Sequence, residues 1–172
     1  KRAEIISMHM ENGVRFSAPQ VVHVDYDVTI GSDSTISAGV ILRKGTKIGT
    51  KCSIDAFCVI DNAIIEDNVS ILSHCNISNS KISDNAQIGP FAHIRNKSNL
   101  EENVKIGNFV EVNNSTIGEN SKAKHITYLG NANIAENVNI GAGTITCNYN
   151  GVSKETTTIK KNVFVGSNCS LV

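Results

Sequence analysis

An all-β solenoid of triangular coils behind one short helix is what this sequence predicts, from three regularities. First, an aliphatic residue recurs every six positions: Ile30, Ile36, Leu42, Ile48, Ile54 and Ile60 open the series, and Ile159, Val165 and Leu171 close it. Every member is Ile, Leu or Val except Ala123 and Thr146. Second, the residue two places before each member is small: always Ala, Ser, Thr, Val or Cys. Third, the step shortens to five after Ile60, Ile77, Val112 and Leu129, at intervals that mark coil boundaries. A period of six matches neither a helix at ~3.6 residues per turn nor plain strand alternation. It matches short straight runs joined at corners, three to a coil, which is a repeat-fold signature. The series makes about eight coils, and parallel strands stacked ~4.8 Å apart give a prism ~38 Å long. The aliphatic side chain fills the prism, and the small residue turns inward near a corner where space is short. Each coil buries its apolar side only against its neighbours.

The elements follow in order. Residues 1–14, KRAEIISMHMENGV, have helical spacing, with Ile5, Met8 and Met10 as an apolar stripe and Gly13 as the stop. They read as a linker helix. Residues 15–29 enter the first coil, and the solenoid domain runs over 15–172. One step, from Thr146 to Ile159, is thirteen residues long. The surplus CNYNGVSKETTT, 147–158, must leave the prism as an external loop, and loops on a regular scaffold tend to carry function. The chain opens at Lys1 and ends on Val172, directly after a repeat position. A solenoid needs a polar cap, so the chain is expected to be a piece of a longer protein that continues past residue 172.

Composition excludes several classes. Net charge is zero and the pI is near 7.1, which speaks against a nucleic-acid footprint or a membrane surface. No apolar run reaches a membrane-spanning length and no signal peptide is expected. The five cysteines are odd in number and lack a CxxC spacing. Cys52, Cys58, Cys75 and Cys169 fall on the small inward position, so they read as core thiols, in keeping with a reducing, cytoplasmic setting. Only Cys147 is off the register.

Residues outside the six-residue rule cluster between 87 and 154. Arg95 follows Ile94 and Asn113 follows Val112, eighteen positions apart, which stacks them at one corner of successive coils. His93, Glu111 and Tyr128 each precede a repeat position and point outward as a column. His125 lies on the corner leading into Tyr128. His9, His23 and His74 read as solvated surface residues, as does His93. For His125, convergence with an arginine, a carboxylate and a tyrosine argues otherwise.

The stretches QIGPFAHIR, IGNFVEV, SKAKHITYLGNANI, NVNIGAGTITCNYNG and FVGSNCSLV are more specific than the repeats. The repeats resemble the left-handed parallel β-helix of hexapeptide acyltransferases. These stretches resemble the acetyltransferase domain of the bacterial bifunctional N-acetylglucosamine-1-phosphate uridyltransferase / glucosamine-1-phosphate N-acetyltransferase family. The resemblance implies the handedness and an acetyl-coenzyme A-dependent N-acetylation of glucosamine-1-phosphate, toward UDP-N-acetylglucosamine and cell-wall precursors. It implies that His125 is the general base, with Glu111 placed to orient or polarise it. It implies sugar-phosphate binding by Arg95, with Tyr128 and Asn139 on the sugar, and Lys154 of the external loop reaching a neighbouring subunit of a homotrimer. On the acetyl-coenzyme A side it implies Ala142, Asn148, Tyr149 and Ser167.

Three departures from the family stand out. Asn113 occupies a position where the family usually carries lysine, so one cation for the phosphate is missing. The uridyltransferase domain, with its Mg²⁺ site, lies outside this chain, and so do the last repeats of the acetyl-coenzyme A pocket. Other readings are a different hexapeptide acyltransferase, or a truncated, inactive trimerising scaffold. A zinc enzyme needs several converging histidines, and only His93 and His125 come near one another. No metal site is expected in this chain, and the partners are small molecules and further copies of the chain rather than nucleic acid or membrane. An ice-binding face needs a threonine ladder, and Thr144 and Thr146 form a single pair.

Overall fold

The computed structural model describes residues 2–172. A helix spans Arg2–Glu11 and ends at Gly13, whose φ of +88° favours glycine. After it come a 3₁₀ turn at Pro19–Val21 and mostly short parallel strands in three ladders. The first ladder stacks Phe16, Ile36, Ile54, Ile71, Ile88, Ile106 and Ala123 and continues to Ile140 and Val165. The second runs from Val24 and Leu42 through Ile60, Ile77, Ile94, Val112 and Leu129. The third runs from Ile30 and Ile48 to Ile134 and Ile159 across eight strands. The repeat therefore maps onto three faces of a prism. Its aliphatic members are buried along most of the length, and so are the small residues two places earlier, such as Val28, Ser34 and Cys58. Each fully buried Ile or Leu removes enough apolar area from water to contribute about 1.5–3 kcal/mol, so the stack of coils is its own core.

The corners supply what the repeat leaves open. Between the second and third faces the five-residue steps each turn on one asparagine with positive φ: Asn62, Asn79, Asn114 and Asn131. Asparagine tolerates this left-handed backbone because its short amide bonds locally. Where the step is six, from Ile94 to Leu100, two successive residues, Asn96 and Lys97, take the left-handed conformation. The corner between the first and second faces differs. There Phe57, His74, Phe91, Phe109 and Ile126 hold positive φ. The Phe57–His74, His74–Phe91 and Phe91–Phe109 rings lie 5.2, 4.9 and 5.3 Å apart, as an exposed ladder up the prism edge. At this edge the two longest strands, Lys105–Asn113 and Lys122–Gly130, run round the corner unbroken and join two faces into one sheet.

Several expectations change. The helix spans Arg2–Glu11 and stops short of residue 14, Lys1 lying outside the described residues, and Met8 and Met10 are 45% and 49% exposed; Ile6 and His9 face the prism instead. His9 is therefore a core residue, not a solvated one, and among the described residues its Nε2 has no hydrogen-bond partner. His74 remains exposed but is one rung of the aromatic ladder. Cys169, in the last coil described, is half-buried, whereas Cys52, Cys58 and Cys75 are buried and Cys147 is exposed. The external loop is also shorter by two residues, because Thr157 and Thr158 already pair with Ala132 and Asn133 in the third ladder.

Two expected results arise here. Burial lowers the His9 pKa from its ordinary value, so the folded state favours the neutral ring. Stability is then full above the ordinary histidine range and falls as pH drops through it. His9→Leu removes that component: its melting temperature declines less between pH 7 and pH 5 than that of the wild type, and equal slopes would contradict the assignment. For the thiols, burial raises the Cys52 pKa, and the hydrogen bond shared with Cys75 followed by burial raises that of Cys58. A thiol-specific reagent at pH 8 labels Cys147 first, Cys169 next and the buried three only on unfolding. Labelling of Cys58 at the rate of Cys147 would refute the register.

Candidate active site

The second face and the edge before it carry the off-pattern residues. His93, Glu111 and Tyr128 are register partners on consecutive strands, as are Arg95, Asn113 and Gly130. The column and the corner stack expected from the spacing are both present. Strand alternation turns Ile94, Val112 and Leu129 inward and their neighbours outward. Arg95 reaches back along the face: its Nε and Nη2 donate to Glu111 Oε1 at 2.9 and 2.7 Å. Asn113 is buried and doubly engaged, accepting from Asn96 Nδ2 at 2.8 Å and donating to the Tyr128 hydroxyl at 3.2 Å. Gly130 leaves room for that phenol, since a Cβ there would lie 2.3 Å from the Tyr128 oxygen. The neutral amide at 113 thus anchors Tyr128.

His125 sits on the edge itself. It is exposed, and its Nδ1 lies 2.9 Å from Asn108 Oδ1. Glu111, the partner that the sequence suggested for it, is the register partner of Tyr128, three residues and so roughly 10 Å of strand from His125. Within one chain Glu111 is held by Arg95. Asn108 is the residue that sequence reasoning missed. Its signal was its place seventeen positions before His125, one coil away.

Ala142 and Ser167 continue the same edge above His125: Gly143 N donates to Ile126 O, and Asn168 N donates to Ala142 O. Asn139 lies across the edge on the first face, paired with Lys122. Asn148 is buried and donates to Asn131 Oδ1 at 3.2 Å. Tyr149 and Lys154 face each other across a small antiparallel bridge in the external loop. This loop is bonded internally. Asn150 Oδ1 accepts from Val152 N and Ser153 N, and the Tyr149 hydroxyl donates to Gly151 O at 2.7 Å. It stands off the prism as a preorganised finger with Lys154 exposed.

One chain therefore brings the expected residues into two groups: Arg95, Glu111, Asn113 and Tyr128 on the second face, and His125, Ala142 and Ser167 on the edge. A 230 Å³ hollow beside His125 is lined by Gly107, Asn108, Lys105 and Lys124. Two larger depressions, of 540 and 510 Å³, lie on the third face and include none of the expected site residues. They follow from the shape of that face rather than from converging chemistry. Among the described residues no group of three or more His, Cys, Asp or Glu side chains is arranged to hold a metal ion, and no helix is long and apolar enough to cross a membrane.

Comparison with known proteins agrees with this architecture. The chain is 50% identical over 171 residues to the bifunctional protein GlmU of Thermodesulfovibrio yellowstonii, covering 99% of this chain and 38% of that protein. It is 46% identical over 171 residues to the same-named protein of Streptococcus thermophilus, covering 99% of this chain and 37% of that one. The chain thus spans well under half the length of these curated relatives. Among solved structures, a UDP-N-acetylglucosamine O-acyltransferase from Moraxella catarrhalis superposes with a TM-score of 0.55 at 18% identity, over 88% of this chain and 65% of the other. That likeness is one of fold, the left-handed parallel β-helix. The model of the GMPPB C-terminal domain matches residues 19–117, more than half of the chain, and the chain belongs to that family.

Proposed function

We propose that this chain carries the transfer of an acetyl group from acetyl-coenzyme A to the amine of glucosamine-1-phosphate, as the acetyltransferase part of a bifunctional protein. The observation that carries the reading is His125, tied through Nδ1 to Asn108 with Nε2 directed away from that bond, in a chain about half identical to GlmU proteins. Imidazole suits the role because it titrates near neutrality. Nε2 takes a proton from the sugar amine as its nitrogen attacks the thioester carbonyl. The tetrahedral intermediate then collapses, the carbon–sulfur bond breaks, and coenzyme A leaves as the thiol, its sulfur taking up the proton held on Nε2.

Arg95 supplies the cation for the sugar phosphate, since a guanidinium matches phosphate oxygens. Glu111 holds its Nε edge in place and lets the rest of the fork face outward. Tyr128 and Asn139 contact the sugar. Ala142, Asn148, Tyr149 and Ser167 line the acetyl-coenzyme A side, where backbone N–H groups near Ala142 and Tyr149 stabilise the oxyanion. Buried free thiols fit a cytoplasmic setting.

The site is divided between a face and an edge, and Lys154 stands on a projecting finger. Both features support a homotrimer in which neighbouring prisms complete each site. Sedimentation should give a species near three times 18.4 kDa, and a clean monomer at micromolar concentration would count against a shared site.

The phosphate assignment is tested in the full-length protein. Arg95→Ala raises the KM for glucosamine-1-phosphate about tenfold or more, in line with loss of a charged hydrogen bond, and leaves that for acetyl-coenzyme A unchanged. A fall in kcat with both KM values unchanged in Arg95→Ala would overturn the role given to Arg95.

A further inference from the structure

We infer that Asn108 is the positioning residue of the proposed base, fixing the ring and tautomer of His125. The inference rests on the reading of His125 as a base. The two residues are register partners on adjacent coils, and the contact is a direct one of 2.9 Å between Asn108 Oδ1 and His125 Nδ1. An amide oxygen only accepts, so Nδ1 carries the hydrogen and Nε2 presents its lone pair to the acceptor amine.

The backbone under Asn108 is pinned on both sides. Gly107 packs so closely on the next coil that a Cβ there would lie 1.8 Å from Lys124 O. Phe109, with φ of +56°, stacks its ring on Phe91 at 5.3 Å and 15°. Asn108 is half-buried between these two anchors while His125 is exposed. A locked partner therefore holds a histidine that has little other support.

The charge of the partner also fits the site. Lys105 and Lys124 line the same hollow as Asn108 and His125, and Lys122 is on the same strand as His125. A carboxylate at position 108 would be drawn toward these ammonium groups and would favour imidazolium, the form unable to accept a proton. A neutral amide avoids both effects. Glu111, the other carboxylate of the site, is committed to Arg95.

The test uses the full-length protein with Asn108→Ala, Asn108→Asp and His125→Ala. Asn108→Ala lowers kcat for acetyl transfer about 10- to 100-fold, the size of loss seen when the partner that orients a metal-ligating histidine is removed. Both KM values stay within about twofold of the wild type, as expected when an interaction made only in the transition state is lost. Asn108→Asp regains activity at alkaline pH, with the acid limb of its pH–rate profile moved up by about one unit. A merely structural residue would change the melting temperature and leave that limb in place. Nitrogen NMR of histidine-labelled wild-type protein finds His125 protonated at Nδ1. Protonation at Nε2 overturns the inference even if Asn108→Ala fails to fold. An Asn108→Ala protein with wild-type kcat and pH profile, beside an inactive His125→Ala, overturns the positioning role and leaves the base assignment standing. Wild-type turnover by His125→Ala removes the base assignment, and the inference with it.

Discussion

His125→Ala, made in the full-length protein, should lose acetyl transfer by ~10²–10⁴-fold, the usual cost of removing a general base. The loss falls on kcat. Binding of acetyl-coenzyme A changes little, because the proposed role of His125 is toward the acceptor amine, with the thioester side assigned to Ala142, Asn148, Tyr149 and Ser167. Steady-state rates with both substrates varied separate these effects. Stability stays close to that of the wild type, since the side chain is exposed and, among the described residues, its one side-chain hydrogen bond is with Asn108. Retention of more than about a tenth of wild-type turnover would remove the assignment, whose minimum cost is ~10²-fold.

Gly107→Ala is the second large effect, and it acts through packing. The added Cβ would overlap Lys124 O at 1.8 Å. The obstruction is backbone, so no rotamer change relieves it. The coils must part where two strands run unbroken round the edge. Overpacking costs about 1–3 kcal/mol, and a backbone clash this close belongs at about 3 kcal/mol. The same displacement separates Asn108 from His125, so activity falls further than the loss of folded protein explains. Denaturant midpoints of the variant and the wild type decide the matter. Equal midpoints for Gly107→Ala and the wild type would mean that the coils are less tightly apposed than described.

The prism was legible because its rule is local and repeated. An aliphatic residue and its small neighbour recur with the period of a face, and Ile30 through Leu171 carry that rule with few exceptions. The corners were less legible, because left-handed backbone is written in single residues. Asn62, Asn79, Asn114 and Asn131 recur with the coil, and so do Phe57, His74, Phe91 and Phe109, yet neither series is apolar in the six-residue pattern. His9 misled for a related reason: its burial is set by the angle at which the helix meets the first coils, which composition does not encode.

In the site, the stack of Arg95 on Asn113 and the column of His93, Glu111 and Tyr128 followed from coil length alone. The pairings did not. Arg95 and Glu111 lie on opposite sides of their repeat positions, and their contact depends on how a long side chain bends along the face. Asn108 and His125 required the register of the corner itself.

The central claim is that an amine acceptor is acetylated at the His125 edge. The most direct measurement is release of the coenzyme A thiol when the full-length protein is mixed with acetyl-coenzyme A and either glucosamine-1-phosphate or glucose-1-phosphate, which lacks the amine. The account predicts rapid release with the amino sugar, in step with N-acetylated product, and none above background with the hydroxyl analogue. Equal release with both sugars, or none with either, would contradict it.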